Sequence, residues 1–453
     1  MRYVKAEVVR LIQRVVVPNS RILDIGCGDG EILQQLQASF AHGIDLEQEV
    51  ITKARFAHPS FTFTTEAIEA FDPPAEQVFD YILLSGVVEQ LDDVHSVFQK
   101  LRSISTRETR LVIVSYSRAW QPVIRLAELL QMRPKYKTWN WIPPNEIKNL
   151  LTQSHFELVS RTPGILIPIN IPLLSRAINR WIAPLPFFRA FGAVMVTVAR
   201  NHSPLLRHQD NPMVSVVVAA RNEAGNIREL VRRLPVMSEN QELIFIEGNS
   251  LDETWDEINS VIAESHGQVR GIQLHVIKQP GIGKGDAIRA GFQIARGDIL
   301  IVLDADLSVP PEELPRFIEC LQNGVCEFAN GSRLLYPMER HAMQFLNILG
   351  NRLFGITFTF LLGQQVRDTL CGTKALWVSD YKRIVANRSH FGDFDPFGDF
   401  DLLFGASRLN LRICDVPVHY KERTYGATNI SRFRHGALLI RMTLIAARRL
   451  RFV

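Results

Sequence analysis

Long hydrophobic runs are missing from this 453-residue chain: no stretch reaches the roughly 18 uncharged apolar residues that a membrane-spanning helix needs. Met1-Arg2-Tyr3-Val4-Lys5-Ala6-Glu7 likewise lacks the apolar core of a secretory signal, so no integral anchor is expected. Cysteine is scarce. Cys27, Cys320, Cys326, Cys371 and Cys414 show no paired zinc spacing, and an odd count suits a reducing compartment, which predicts a cytoplasmic protein. A dominant charge is also absent, since 51 basic and 47 acidic side chains leave a net charge of +4. That balance gives no argument for a nucleic-acid partner, and the basic residues matter only where they cluster, at the C-terminus. There is no low-complexity tract either. With 46% hydrophobic and 22% charged residues the composition is globular, and the length predicts two domains rather than one α/β core.

What is present is a series of short apolar runs that end in charge. In Gly297-Asp298-Ile299-Leu300-Ile301-Val302-Leu303-Asp304-Ala305-Asp306-Leu307-Ser308, an unbroken apolar stretch stops at two carboxylates one residue apart. Such a run reads as a central parallel strand covered on both faces, and open α/β sheets bind ligands at the carboxyl ends of their strands. Residues two apart in extended backbone project to one side, so Asp304 and Asp306 are placed to face one hard cation carrying a nucleotide diphosphate. The plainer alternative is a polar turn, which Asp and Ser also favour.

Earlier in the chain, Arg21-Ile22-Leu23-Asp24-Ile25-Gly26-Cys27-Gly28-Asp29-Gly30-Glu31 spells a short strand, a glycine-rich turn and a helix start. Asp45, closing His42-Gly43-Ile44-Asp45, stands where a ribose hydroxyl would be met. Glu31 occupies the place of the third glycine of a dinucleotide turn, so a pyrophosphate is not the expected guest. The stretch resembles motif I of class I S-adenosylmethionine-dependent methyltransferases, and the likeness continues through Phe79-Asp80-Tyr81-Ile82-Leu83-Leu84-Ser85 and Gly86 to Asp93. It implies a methyltransferase domain over 1–200 with S-adenosylmethionine as cofactor. Asp24, Gly26, Gly28 and Gly30 would lie along its methionine and ribose parts, Asp45 would hold the ribose hydroxyls, and Glu66 would approach the adenine. Methyl transfer needs alignment more than a base, because the sulfonium is already a good leaving group. The apolar, proline-broken segment Thr162 to Leu174, followed by Arg176, Arg180 and Trp181, reads equally as a lid, a membrane-touching patch or a core-facing insertion.

A polar, proline-bounded linker at 201–212 precedes a second set of strands. Met213 to Ala220 runs into Arg221-Asn222-Glu223, Leu243 to Ile246 ends at Glu247, and Gly281-Ile282-Gly283-Lys284-Gly285-Asp286 opens a helix over Ala287–Ala295 before the Asp304 strand. The order resembles family 2 inverting glycosyltransferases of GT-A type, and more narrowly the polyprenyl-phosphate sugar synthases typified by dolichol-phosphate mannosyltransferase. The likeness covers 213–433. By it, Arg221, Asn222, Glu223 and Glu247 line the nucleoside pocket, and Lys284 and Asp286 lie near the diphosphate. Asp304 and Asp306 would hold the nucleotide and the metal, Mg²⁺ or Mn²⁺. Arg333 and the turn Arg367 to Thr373 border sugar and acceptor, and Arg423 meets phosphate through a planar guanidinium. The fold class expected is therefore α/β, with two Rossmann-like domains in tandem.

Two questions stay open in the sequence. If the sugar acceptor is a polyprenyl phosphate, its dianion needs no general base; if it is a glycan hydroxyl, Asp399 or Asp401 must take a proton. Both acids also suit a helix start on dipole grounds alone. The C-terminal stretch 434–453 is expected to form a basic amphipathic helix: Ser431 to Val453 holds six arginines and no acid, which favours peripheral contact with anionic lipid at the cytoplasmic face of a membrane.

Overall fold

The computed structural model describes residues 2–131, 140–202, 211–337, 345–391, 398–423, 425 and 432–452. Most of the 201–212 linker, Phe397 and the Thr428-Asn429 pair, which stands where related synthases often have Ser-Lys, lie outside the described residues. The chain divides into two compact units, Met1–Leu206 with Leu450–Val453, and Arg207–Arg449.

The first unit is built on β1 (Arg21–Ile25), β2 (Phe40–Asp45), β3 (Thr62–Thr65), β4 (Tyr81–Ser85), β5 (Arg110–Tyr116), β6 (Phe156–Gly164) and β7 (Val194–Asn201), in the order β3-β2-β1-β4-β5-β7-β6. β1 to β5 pair in parallel, and β7 runs antiparallel to both β5 and β6. The strands form where apolar residues run unbroken: Ile82, Leu83 and Leu84 of β4 are fully or almost fully buried. Helix Val94–Ser103 packs Val97, Phe98 and Leu101 on them, and its Asp93 cap accepts a hydrogen bond from the Ser96 amide at 3.1 Å. Strand order reverses between β1 and β4, which opens a crevice at their carboxyl ends.

The second unit holds β8 (Val214–Ala220), β9 (Gln241–Glu247), β10 (Gln268–Val269), β11 (Ile272–Lys278), β12 (Ile299–Asp304), β13 (Phe328–Ser332), β14 (Lys374–Trp377) and β15 (Ile413–Pro417). Their order is β10-β11-β9-β8-β12-β14-β13-β15, and the reversal falls between β8 and β12. β12 lies between parallel β8 and antiparallel β14, buried from Ile299 to Leu303. The helix expected from Ala287 starts at Lys284 instead. Gly283, at φ 91°, makes a turn that residues with a side chain rarely adopt, and so brings Lys284 to the first helical position. The apolar stretches Phe345–Phe354 and Ile356–Leu362 form one helix, Phe345–Leu362, whose buried side includes Phe358 and Leu361. Among the described residues no helix is long and apolar enough to cross a membrane.

Two buried clusters join residues far apart in sequence. The sulfurs of Cys326 and Cys414 lie 2.7 Å apart with Cys320 beside them, a meeting of three thiols that sequence spacing gave no sign of. The second cluster centres on Asp368, which is fully buried and takes two hydrogen bonds from the Arg333 guanidinium, at 2.7 and 2.9 Å, one from the Arg333 amide at 3.1 Å and one from Asn351 at 2.8 Å. Burial opposes ionisation of Asp368, but the Arg333 guanidinium outweighs it and holds the carboxyl down to about 2. Arg333→Ala strands that charge, and a loss of about 3–5 kcal/mol is expected in denaturant unfolding of this unit. Arg333→Ala combined with Asp368→Ala should lose less than Arg333→Ala alone.

Candidate functional site

In the first unit the crevice is lined by the glycine turn after β1. Gly26, Gly28 and Gly30 have φ of 67°, 57° and 75°, a left-handed path that keeps side chains out of the crevice. A Cβ on Gly26 would strike Val87. Asp45, at the tip of β2, accepts from the Gly28 amide at 3.0 Å and the Glu47 amide at 3.1 Å, so it braces the turn. Glu66 follows β3, and its amide donates to the Asp45 carbonyl at 3.1 Å. Glu89 is buried and accepts from the Tyr116 amide at 2.6 Å, while the Gln90 side chain donates to the Gly86 carbonyl at 2.7 Å. His95 pairs with Gln99 on its own helix at 2.8 Å.

Asp24 differs from all of these. It is 1% exposed, and neither carboxylate oxygen has a hydrogen-bond partner. Burial, reinforced by the charge on Asp45, pushes its pKa up to about 8. A buried acid with no partner beside a glycine cradle fits a ligand that carries positive charge, and S-adenosylmethionine, with its ammonium and sulfonium, is such a ligand.

In the second unit, polar residues gather at the carboxyl edge around the β8/β12 reversal. Asp304 ends β12, and its carboxylate lies 2.5 Å from Lys284 Nζ. Asp306 accepts from the Ser308 amide at 3.0 Å and the Ser308 hydroxyl at 2.7 Å, and its other oxygen meets Arg423 at 2.5 Å. Burial works against the Lys284 ammonium, yet Asp304 and Asp399 outweigh it and hold its pKa above the ordinary lysine value. Lys284 in turn keeps Asp304 below the usual carboxylate range despite burial. Gly372 closes against both, since a Cβ there would strike the Asp304 carboxylate and the Lys284 amine.

Glu223 lies 3.8 Å from Arg423 and accepts from Asn226 at 2.6 Å. Burial pushes it up to about 7. Asn222 caps the Leu251 amide at 2.7 Å, and Glu247, ending β9, accepts from the Ser250 amide at 2.6 Å. Arg221 stands exposed beyond β8. Asp286 accepts from the Gly281 amide at 2.8 Å and thereby shapes the turn before Lys284. These contacts make Asn222, Glu247 and Asp286 braces of the loops around the crevice.

Asp399 and Asp401, two residues apart on helix Asp399–Arg408, point to different surroundings. Asp399 is 3.1 Å from the buried Lys374 amine and 4.0 Å from Lys284, which joins it to the Asp304 pair. Asp401 is 3.0 Å from Arg388 and 3.9 Å from Arg289. Sequence reasoning missed Lys374: an amine at the start of a short apolar strand gives no local signal of the acid that it meets. Among the described residues no three His, Cys, Asp or Glu side chains converge as a metal cage. Mg²⁺ and Mn²⁺ do not need one where substrate phosphates complete the shell, so the donor set Asp304 and Asp306 fits either ion.

Comparisons with known proteins agree with this division. Residues 1–161 match the Methyltransferase domain family model and residues 215–385 the Glycosyl transferase family 2 model. The undecaprenyl-phosphate 4-deoxy-4-formamido-L-arabinose transferase of Shewanella sediminis is 36% identical over 232 residues, 49% of this chain and 63% of that protein. The glycosyltransferase AglD of Haloferax volcanii is 29% identical over 216 residues, 46% of this chain and 33% of that one. The chain thus spans less than two thirds of the length of these relatives. Among solved structures, glucosyl-3-phosphoglycerate synthase from Mycobacterium tuberculosis with Mn²⁺, uridine diphosphate and glucosyl-3-phosphoglycerate aligns at 18% identity and TM-score 0.37. That match covers 53% of this chain and 80% of that one. An S-adenosylmethionine-dependent methyltransferase from Mesorhizobium loti aligns at 17% and TM-score 0.33 over 44% and 97%. Residues 1–161 are thus similar to methyltransferase domains, and residues 215–385 to family 2 glycosyltransferases.

The solitary state of Asp24 has a measurable consequence. With its folded pKa near 8, above the ordinary carboxylate value, the folded protein keeps a proton that the unfolded chain releases. Stability from this group is therefore present at low pH and is lost progressively as pH rises to about 8. In cofactor-free protein, Asp24→Asn should raise the melting temperature of the first unit, and the gain should grow between pH 5.5 and 8.5; equal profiles for the two proteins would contradict the assignment.

Proposed function

We propose that the chain is a bifunctional enzyme, transferring a methyl group from S-adenosylmethionine in its first half and a sugar from a nucleotide sugar to a polyprenyl phosphate in its second. The observation that carries the second activity is the pairing of Asp304 with Lys284 and Asp306 with Arg423 at the β8/β12 reversal. Two cations and two acids at one crevice suit a departing nucleotide diphosphate, which adds negative charge where Lys284 and Arg423 already stand. A Mg²⁺ or Mn²⁺ ion held by Asp306 and Asp304 would supply Lewis-acid neutralisation of that diphosphate. Glu223, Asn222 and Glu247 would border the nucleoside.

The acceptor follows from the surroundings of Asp399 and Asp401. A general base must have a free carboxylate, and each of these is held by cations, Asp399 by Lys374 and Lys284, Asp401 by Arg388. A phosphomonoester, with a second pKa near 6, is largely dianionic at neutral pH and attacks without giving up a proton. Its oxygen forms the new bond to the anomeric carbon as the bond to the diphosphate breaks on the opposite face, and the configuration inverts. The undecaprenyl-phosphate relatives support the same acceptor class. For the first half, the partnerless Asp24 beside the left-handed glycine turn supports the cofactor. The reading places the protein peripherally on the cytoplasmic face of a membrane, where a polyprenyl phosphate resides. Helix Arg432–Ala446, which turns Leu439, Met442 and Ala446 inward and leaves Ile440 and Leu444 exposed, supplies one basic, apolar surface.

Purified protein assayed with nucleotide sugars and polyprenyl phosphate tests the transferase. Asp306→Ala should abolish metal-dependent turnover, whereas Asp401→Asn should be mild; a loss of roughly 10²–10⁴ for Asp401→Asn would instead mark a hydroxyl acceptor. Calorimetry should show S-adenosylmethionine binding that Asp45→Ala weakens, and no binding at millimolar cofactor would make the first half a scaffold.

A further inference from the structure

The segment between β6 and β7 in the first unit is built inside out. Two of its polar residues, Asn179 and Ser175, are buried and hold its path. Asn179, 1% exposed, accepts from the amides of Leu166 and Ile167 at 2.8 and 2.9 Å and donates to the Ile167 carbonyl and the Tyr3 hydroxyl at 2.9 and 3.0 Å. Ser175, fully buried, accepts from the Ile171 amide at 2.8 Å and donates to the Ile169 carbonyl at 2.7 Å. The large apolar residues face solvent: Leu173 is 88% exposed and Phe187 74%, with Leu174 and Phe191 also exposed.

A second element continues this surface. Helix Gln121–Leu129, which follows β5, buries none of its residues and leaves Leu126 and Leu129 exposed. The Trp120 indole, just before it, donates to the Phe191 carbonyl at 2.8 Å, which ties the two elements together. Scattered exposed apolar residues are ordinary, but a continuous group of leucines and phenylalanines held outward by buried polar anchors marks a surface that leaves water.

The charge around it selects the partner. From Leu158 to Gln209 the sequence contains no Asp or Glu. Arg118, Arg125, Arg176 and Arg180 stand exposed on the same two elements, against the single acid Glu128. Apolar side chains interleaved with arginine match a bilayer interface carrying anionic headgroups, where the rings enter the acyl boundary and the guanidinium groups meet phosphate. Topology fixes where this surface lies. β7 is antiparallel to both β5 and β6, so β5 and β6 share a direction with β1 and β2, and the segments after β5 and β6 leave from the edge that carries Gly26 and Asp45.

We propose that this rim, formed by residues 118–130 and 165–191 at the carboxyl edge of the first sheet, docks on an anionic lipid bilayer. The C-terminal Phe452 joins this rim, its carbonyl accepting from Arg180 at 2.9 Å and its ring stacking on Trp181. Docking itself is independent of either catalytic reading. Where the methyltransferase reading also holds, the methyl acceptor is a membrane-borne amphiphile, because the docked edge is the edge of the cofactor crevice.

The experiment is co-sedimentation of the full-length protein with vesicles of phosphatidylglycerol and phosphatidylcholine, compared with phosphatidylcholine alone, without donor or cofactor. The wild type should bind the anionic vesicles at least tenfold more tightly than the neutral ones. Leu173→Asp with Phe187→Asp, both at exposed positions, should weaken that binding at least tenfold while the melting temperature stays unchanged. Arg118→Gln with Arg125→Gln and Arg176→Gln should remove the preference for anionic vesicles. Wild-type affinity in the Leu173→Asp, Phe187→Asp protein would overturn the proposal, as would loss of all binding on neutralising Arg441, Arg448 and Arg449 alone. Self-association of the wild type in solution that the aspartates abolish, without vesicle binding, would also overturn it, by making a second copy the occupant.

Discussion

The second unit depends on the sharing of one ammonium, Lys284, between carboxylates from different elements. Asp304 comes from the end of β12, Asp399 from the start of helix Asp399–Arg408, and Lys284 from the first turn after Gly283. Lys374, buried on β14, holds Asp399 from the other side. An ion pair taken out of water is favourable only when its members are fully matched, so the four side chains fix one another's positions. Gly372 completes the arrangement by having no side chain, since any Cβ at that turn would enter the Lys284–Asp304 contact. The crevice is thus organised by the charges of its own side chains.

The order of the leading elements was legible in the sequence because β1, β2, β4, β9 and β12 are largely apolar runs that end at, or are followed at once by, acid or glycine. Asp45 ends a strand of the first sheet and Asp304 and Glu247 end strands of the second, each at the carboxyl edge of its own sheet. The partners of those acids were not legible. Which cation meets Asp399 depends on how β14 packs beside β12, a long-range fact without a local trace. The helix start expected at Ala287 falls at Lys284, where the backbone freedom of Gly283 begins the helix.

Two residues that look equivalent in sequence, Asp399 and Asp401, serve different neighbourhoods. One joins the Lys284 network and the other pairs with Arg388, outside it. Arg333 is likewise bound on two sides in the interior, by Asp368 and by the face of Tyr420 at 4.9 Å from the ring centre. Arg423 contrasts with it. Its guanidinium reaches Asp306 from the segment after β15 and remains partly open to solvent.

A ligand that binds only the folded state stabilises it by mass action, by about 2.7 kcal/mol at a concentration one hundred times its dissociation constant. The partnerless acid beneath the glycine turn makes the stability of the first unit responsive to any cation that reaches it, because pairing with Asp24 removes the cost of burying a lone charge.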